Sequence, residues 1–170
     1  VQKMQSHYDQ WWSDVEPVTK RYQPITIGAD AENPARLSSC DWAGVYCDND
    51  WGVRGGVSAV GPWHVIVAEQ GAYEITLRRW PKESKLGIAD PAPKWTGNFG
   101  GRIAGKAFPV KKANVTIAGQ EQECDVPNGA ADVTLTFDLD AGQTTLTARW
   151  LNEEGNNLAG LYYVTVKRCD

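Results

Sequence analysis

A chain of 170 residues, 42% hydrophobic and 22% charged, suits one domain with a continuous core. Its formal net charge of −4 leaves no basic excess to neutralise phosphates, which argues against nucleic acid as a partner. No stretch approaches the roughly 18 consecutive apolar residues of a membrane span, so no membrane partner is expected either.

The chain opens on a helical stripe. Val1, Met4, Tyr8, Trp11, Trp12 and Val15 fall at i, i+3/i+4 and i+7 spacing, and Pro17 limits the helix. Two adjacent tryptophans give it more apolar surface than one narrow stripe hides. Packing on its own domain is expected, with a neighbouring domain as the alternative cover. Residues 1–22 are therefore read as helix and linker, and residues 23–170 as a β domain.

From Gln23 onward the period changes to two. Ile25 and Ile27 make a short strand. Trp63, Val65 and Val67, then Tyr73, Ile75 and Leu77, alternate with polar or smaller residues on either side of the turn Glu69-Gln70-Gly71, which predicts a β-hairpin. Lys112 to Ala118 alternates around Val115 and Ile117. Val133, Leu135, Phe137 and Leu139 share a face, as do Leu146, Ala148 and Trp150, and the last strand buries Tyr162, Val164 and Val166. Short alternating strands with Gly-rich turns predict an all-β fold, an antiparallel β-sandwich, jelly-roll-like, with a short N-terminal helix. Two long irregular stretches, Asp30 to Gly61 and Pro81 to Gly105, interrupt the pattern. Loops of that length are functional or packed against something.

Cys40, Cys47, Cys124 and Cys169 contain no C-x-x-C, and His7 and His64 are the only imidazoles. No zinc or other metal site is predicted. Two disulfides, for instance Cys40 with Cys47 and Cys124 with Cys169, stand beside four free thiols as alternatives. No basic leader with a small-residue cleavage site opens the chain, so it is read as cytosolic, already processed or excised from something longer.

The order of several short blocks carries a resemblance. His7-Tyr8-Asp9-Gln10-Trp11-Trp12, Ile27-Gly28-Ala29-Asp30-Ala31-Glu32-Asn33-Pro34, Val53-Arg54-Gly55-Gly56 and Gly61-Pro62-Trp63 lead to the most specific run. That run is Gly71-Ala72-Tyr73-Glu74-Ile75-Thr76-Leu77-Arg78-Arg79-Trp80-Pro81-Lys82-Glu83, and Leu161-Tyr162-Tyr163-Val164 closes the series. Together they resemble the C-terminal domain of bacterial arylsulfatase-type sulfatases of the alkaline-phosphatase-like superfamily. The resemblance implies a non-catalytic accessory domain of a sulfuric ester hydrolase, periplasmic or extracellular. Its partner would be the sulfatase catalytic domain of the same polypeptide, and it would help position a sulfated carbohydrate. Calcium is implied for that catalytic domain, and no cofactor for this chain. The family's [C or S]-x-P-S-R nucleophile motif is absent from this sequence, so this chain alone is not expected to hydrolyse sulfate esters and no catalytic residue is assigned. A stand-alone carbohydrate-binding β-sandwich is the alternative.

Seven residues are candidates for substrate binding or a domain interface. Arg54, Arg78 and Arg79 suit planar, oxygen-rich anions through paired hydrogen bonds. Alternation places Arg78 and Trp80 on the outward face of their strand, a pair fit to stack a sugar ring and hold a charged substituent. The competing expectation is an ion pair for the arginines with Trp80 packed beneath the following loop. Trp42, Trp51 and Trp95 lie on loops, where indole rings stack on sugars or anchor the loop itself. Asp48-Asn49-Asp50 offers oxygens for calcium but lacks the order of an EF-hand loop. His64 and the pair Glu153-Glu154 read as an ordinary strand residue and a solvated turn.

Overall fold

The computed structural model describes residues 1–169. Two sheets face each other. The first is six-stranded, in the order β1 (Ile25–Ile27), β3 (Trp63–Val67), β10 (Gly142–Leu151), β7 (Lys112–Ile117), β8 (Gln120–Asp125), with β11 (Asn157–Gly160) beside the far end of β10. The second has the order β2 (Ala35–Ser38), β12 (Tyr163–Arg168), β4 (Gly71–Arg78), β9 (Val133–Leu139). Every pairing in the two sheets is antiparallel except β1 with β3. This is an antiparallel β-sandwich preceded by one helix.

The alternating residues fill the space between the sheets. Trp63, Val65, Tyr73, Ile75, Leu77, Phe137, Leu146, Ala148, Trp150, Tyr162, Val164 and Val166 are all buried, as their period-two spacing requires. Polar tips on this core find backbone acceptors. The Trp63 indole donates to Ser38 O at 2.7 Å, and the Tyr162 hydroxyl to Val57 O at 2.9 Å.

The expected hairpin is not one. β3 pairs with β1 and β10, whereas β4 pairs with β12 and β9. The turn after Val67 therefore carries the chain from one sheet across to the other. Alternation reports which face of a strand is buried, and both arrangements bury the same residues; the partner is set by the rest of the sheet. Several short elements also escaped the pattern. β2 and β11 are brief, β8 is an edge strand of polar residues, and α2 (Asp50–Gly55) lies inside the first long stretch. β8 is joined to β7 by Ala118-Gly119, both with positive φ, the geometry of a tight two-residue turn.

The N-terminal helix α1 (Gln2–Thr19) buries none of its residues. This corrects the expectation that it packs on its own domain. Its aromatic rings gather on one another instead. Tyr8 stacks parallel to Trp12 with centroids 6.4 Å apart, and Trp11 lies 5.7 Å from Tyr8. Pro17 sits in the final turn, next to the helix end. All four cysteines are free thiols, and burial pushes the Cys47 and Cys124 thiols up.

Candidate functional site

The site is built where the two long stretches meet beside the four-stranded sheet. Asn49 starts α2 by accepting the Gly52 amide on its side chain at 3.0 Å, an ordinary N-cap. Asp50 pairs with Arg102. These contacts engage Asn49 and Asp50, two of the three residues whose oxygens the sequence offered to calcium. Gly56 ends α2 in the left-handed region at φ 70°. The Phe108 ring lies where a Cβ would project from it, so this helix end and the second long loop pack through a glycine.

Two arginines fasten that second loop by its carbonyls. Arg54, on α2, donates to Ile103 O from Nε at 3.1 Å and from Nη2 at 2.6 Å, and also to Pro93 O. Arg79, at 0% exposure, donates to Lys106 O at 2.7 Å and Asp90 O at 3.3 Å. Its guanidinium lies 4.0 Å from the Phe108 ring centroid and 4.4 Å from that of Trp80, a cation held by two π faces. Burial pulls this guanidinium down to about 10, yet it remains charged at neutral pH. Trp80 is buried beside it and donates its indole N–H to Asp90 O at 3.0 Å.

Above this base a small hairpin, β5 (Trp95–Gly97) with β6 (Gly100–Arg102), projects from the loop. Trp95 is 57% exposed, and its ring lies against Gly97, where a Cβ would collide with it. An open cleft of about 440 Å³ runs below Trp95, walled by Val53, Leu86, Pro93, the edge of Trp80 and Tyr163. A second hollow of about 320 Å³ lies over the outer face of β2, β12 and β4 and is lined by Arg36, Arg78, Lys82 and Glu83. Pro81 and Tyr163 line both hollows, so the two adjoin, and together they are taken as a trough with an apolar end and a charged end.

The seven sequence candidates divide accordingly. Arg54, Trp80 and Trp95 line the apolar cleft. Trp51 is exposed nearby, 5.2 Å beneath the Arg102 guanidinium. Arg78 lines the charged end but is paired with Asp132. Arg79 is enclosed and Trp42 is core, edge-on to Trp63 at 5.8 Å. The outward Arg78–Trp80 pair does not exist: the strand ends at Arg78, and the chain then turns Trp80 inward under the following loop, as the competing expectation had it. Arg36 was missed. Its signal was the run Ala35-Arg36-Leu37, buried-exposed-buried, too short to stand out among Asn, Asp and Gly.

No family model matches the chain, and no curated protein does. Among solved structures it is similar to a ruminal GH26 endo-β-1,4-mannanase, at 14% identity and TM-score 0.46 over 82% of this chain and 26% of that one. A native family 35 carbohydrate binding module from Clostridium thermocellum is similar at 12% identity and TM-score 0.46, over 81% of this chain and all of the module. CBM35 from Cellvibrio japonicus Abf62 follows at 14% and 0.45, over 78% and 91%. The chain thus spans about a quarter of the mannanase chain and most of each isolated module. No residue of the site is carried across from any of them.

Proposed function

We propose that this chain is a non-catalytic accessory β-sandwich that binds carbohydrate and works beside the catalytic domain of an arylsulfatase-type enzyme in the same polypeptide, outside the cytoplasm. The trough is the observation that carries the carbohydrate part. A sugar ring presents an apolar C–H face and a rim of hydroxyls. It is matched by an exposed indole with aliphatic walls, opening onto a polar sheet face. Trp95 is held from below by the Gly97 contact, and the loop base is fastened by Arg54 and Arg79, so little ordering is needed on binding.

Attachment to a larger enzyme draws its support from α1. Met4, Tyr8, Trp11 and Trp12 are all exposed on a helix with no buried residue, a stripe that one further surface would cover. The sequence blocks that resemble the sulfatase C-terminal domain include this helix, which is why the catalytic domain of such an enzyme is the proposed cover. Calorimetric titration of the chain with a panel of oligosaccharides tests the binding role. Saturable binding weakened by Trp95→Ala is expected. Binding that is indifferent to that substitution would move the site elsewhere, and none at all would leave a purely structural accessory domain.

A further inference from the structure

The charged end of the trough adds a requirement on the ligand. Arg36 is exposed, and neither it nor Lys82 has an ion pair or side-chain hydrogen bond among the described residues. Most other arginines of the chain are committed: Arg78 to Asp132, Arg102 to Asp50, Arg149 to Glu121, Arg168 to Asp30 and Glu69, and Arg54 and Arg79 to carbonyls. Register places Arg36 opposite Thr165, itself opposite Thr76, so the cation stands at the end of a row of hydroxyl-bearing side chains. Glu83 is the one carboxylate lining this end. With Arg78 neutralised by Asp132, Arg36 and Lys82 face the single carboxylate of Glu83, so in a chain of net charge −4 this end carries a small local excess of positive charge that favours an anion.

We infer that the trough takes a saccharide bearing an anionic substituent, its ring in the cleft under Trp95 and its charged group between Arg36 and Lys82. This rests on the carbohydrate reading above and narrows it. Sulfate esters and carboxylates share the needed chemistry, anionic oxygens that accept charge-assisted hydrogen bonds from a guanidinium and an ammonium. Tyr163 is the hinge of the arrangement, because it lines both halves.

The test titrates the whole chain, at low salt, with a sulfated galactan oligosaccharide, its desulfated counterpart and an oligogalacturonate. At least one charged probe is expected to bind about tenfold more tightly than the neutral one, a ratio typical of a charge-assisted hydrogen bond. The preference should shrink as salt screens it. Which charged probe wins distinguishes sulfate from carboxylate. Arg36→Gln combined with Lys82→Gln should bring the charged probe down to the affinity of the neutral one. Lys111→Gln, an exposed cation outside the trough, should leave it unchanged. Both altered residues are exposed, so the fold is retained, and tryptophan fluorescence checks this. Equal binding of charged and neutral probes, or a preference that survives the double substitution, overturns the anion subsite while the carbohydrate reading stands. Failure of all three probes to bind the folded chain overturns both.

Discussion

The N-terminal helix and the loop wall after β4 are both rich in aromatic side chains and both lie outside the β pattern, yet they use those rings in opposite ways. Trp80 and Phe108 close over the Arg79 guanidinium, and Trp42 on the other long stretch packs against Trp63 and Tyr162. On α1, Trp11 and Trp12 remain 49% and 38% exposed and touch chiefly each other and Tyr8. Aromatic content therefore says little about function by itself. What separates the two regions is whether the chain supplies a second surface. Where it does, the rings become core, and where it does not, they stay exposed.

The largest effect sharpens the core side of this contrast. Trp42→Ala should cost about 3–5 kcal/mol in denaturant unfolding, as for other large buried side chains, and Phe137→Ala should match it. A loss below about 1 kcal/mol at either position would mean that the ring is not core. Arg79→Ala should cost about 2–4 kcal/mol, because it removes the guanidinium that holds the Lys106 carbonyl and empties the space between two rings. Gly56→Ala should cost about 1–3 kcal/mol, combining a strained φ with displacement of Phe108. Under the proposed carbohydrate role it should also weaken glycan binding, since the loop base that carries Trp95 would shift.

A smaller effect is expected from alkali. Burial raises the Cys47 and Cys124 thiols above their ordinary 9.0 and the Tyr73, Tyr162 and Tyr163 phenols above 10.0. The unfolded chain therefore releases these protons first as pH rises. Stability is fully present below pH 9.0 and declines upward through the raised folded-state values. Thermal melts from pH 7 to 11 should show the fall, and Tyr162→Phe should flatten it above pH 10.0, the ordinary phenol value. Burial of Arg79, held down to about 10, opposes the fall above that pH, so the deciding comparison is the substitution: melts of Tyr162→Phe that track the parent's would contradict the burial of this phenol.

The smallest effect breaks the contrast if it fails. Trp11→Ala and Trp12→Ala should each change the stability of the isolated chain by no more than about 0.5 kcal/mol, as for surface positions. If α1 docks on a catalytic domain as proposed, the same substitutions in the longer polypeptide should loosen that contact, read as earlier proteolytic release of this domain. A large loss in the isolated chain would show that α1 packs on its own sandwich after all.

The inward sets of β3, β4, β7, β9, β10 and β12 were legible in the sequence, because a side chain's face on a strand depends only on local geometry, with period two. The helix and its apolar stripe were legible for the same reason at period 3.6. Strand partners were not. The runs flanking Gly71 read as a hairpin but belong to opposite sheets, since pairing is chosen among all strands at once. Nor could local pattern tell that Arg54 and Arg79 would be spent on loop carbonyls, that Trp80 would turn inward, or that Arg36 would find no side-chain partner among the described residues. A guanidinium binds whatever acceptor the folded chain brings within reach, and only the tertiary structure decides which acceptors those are.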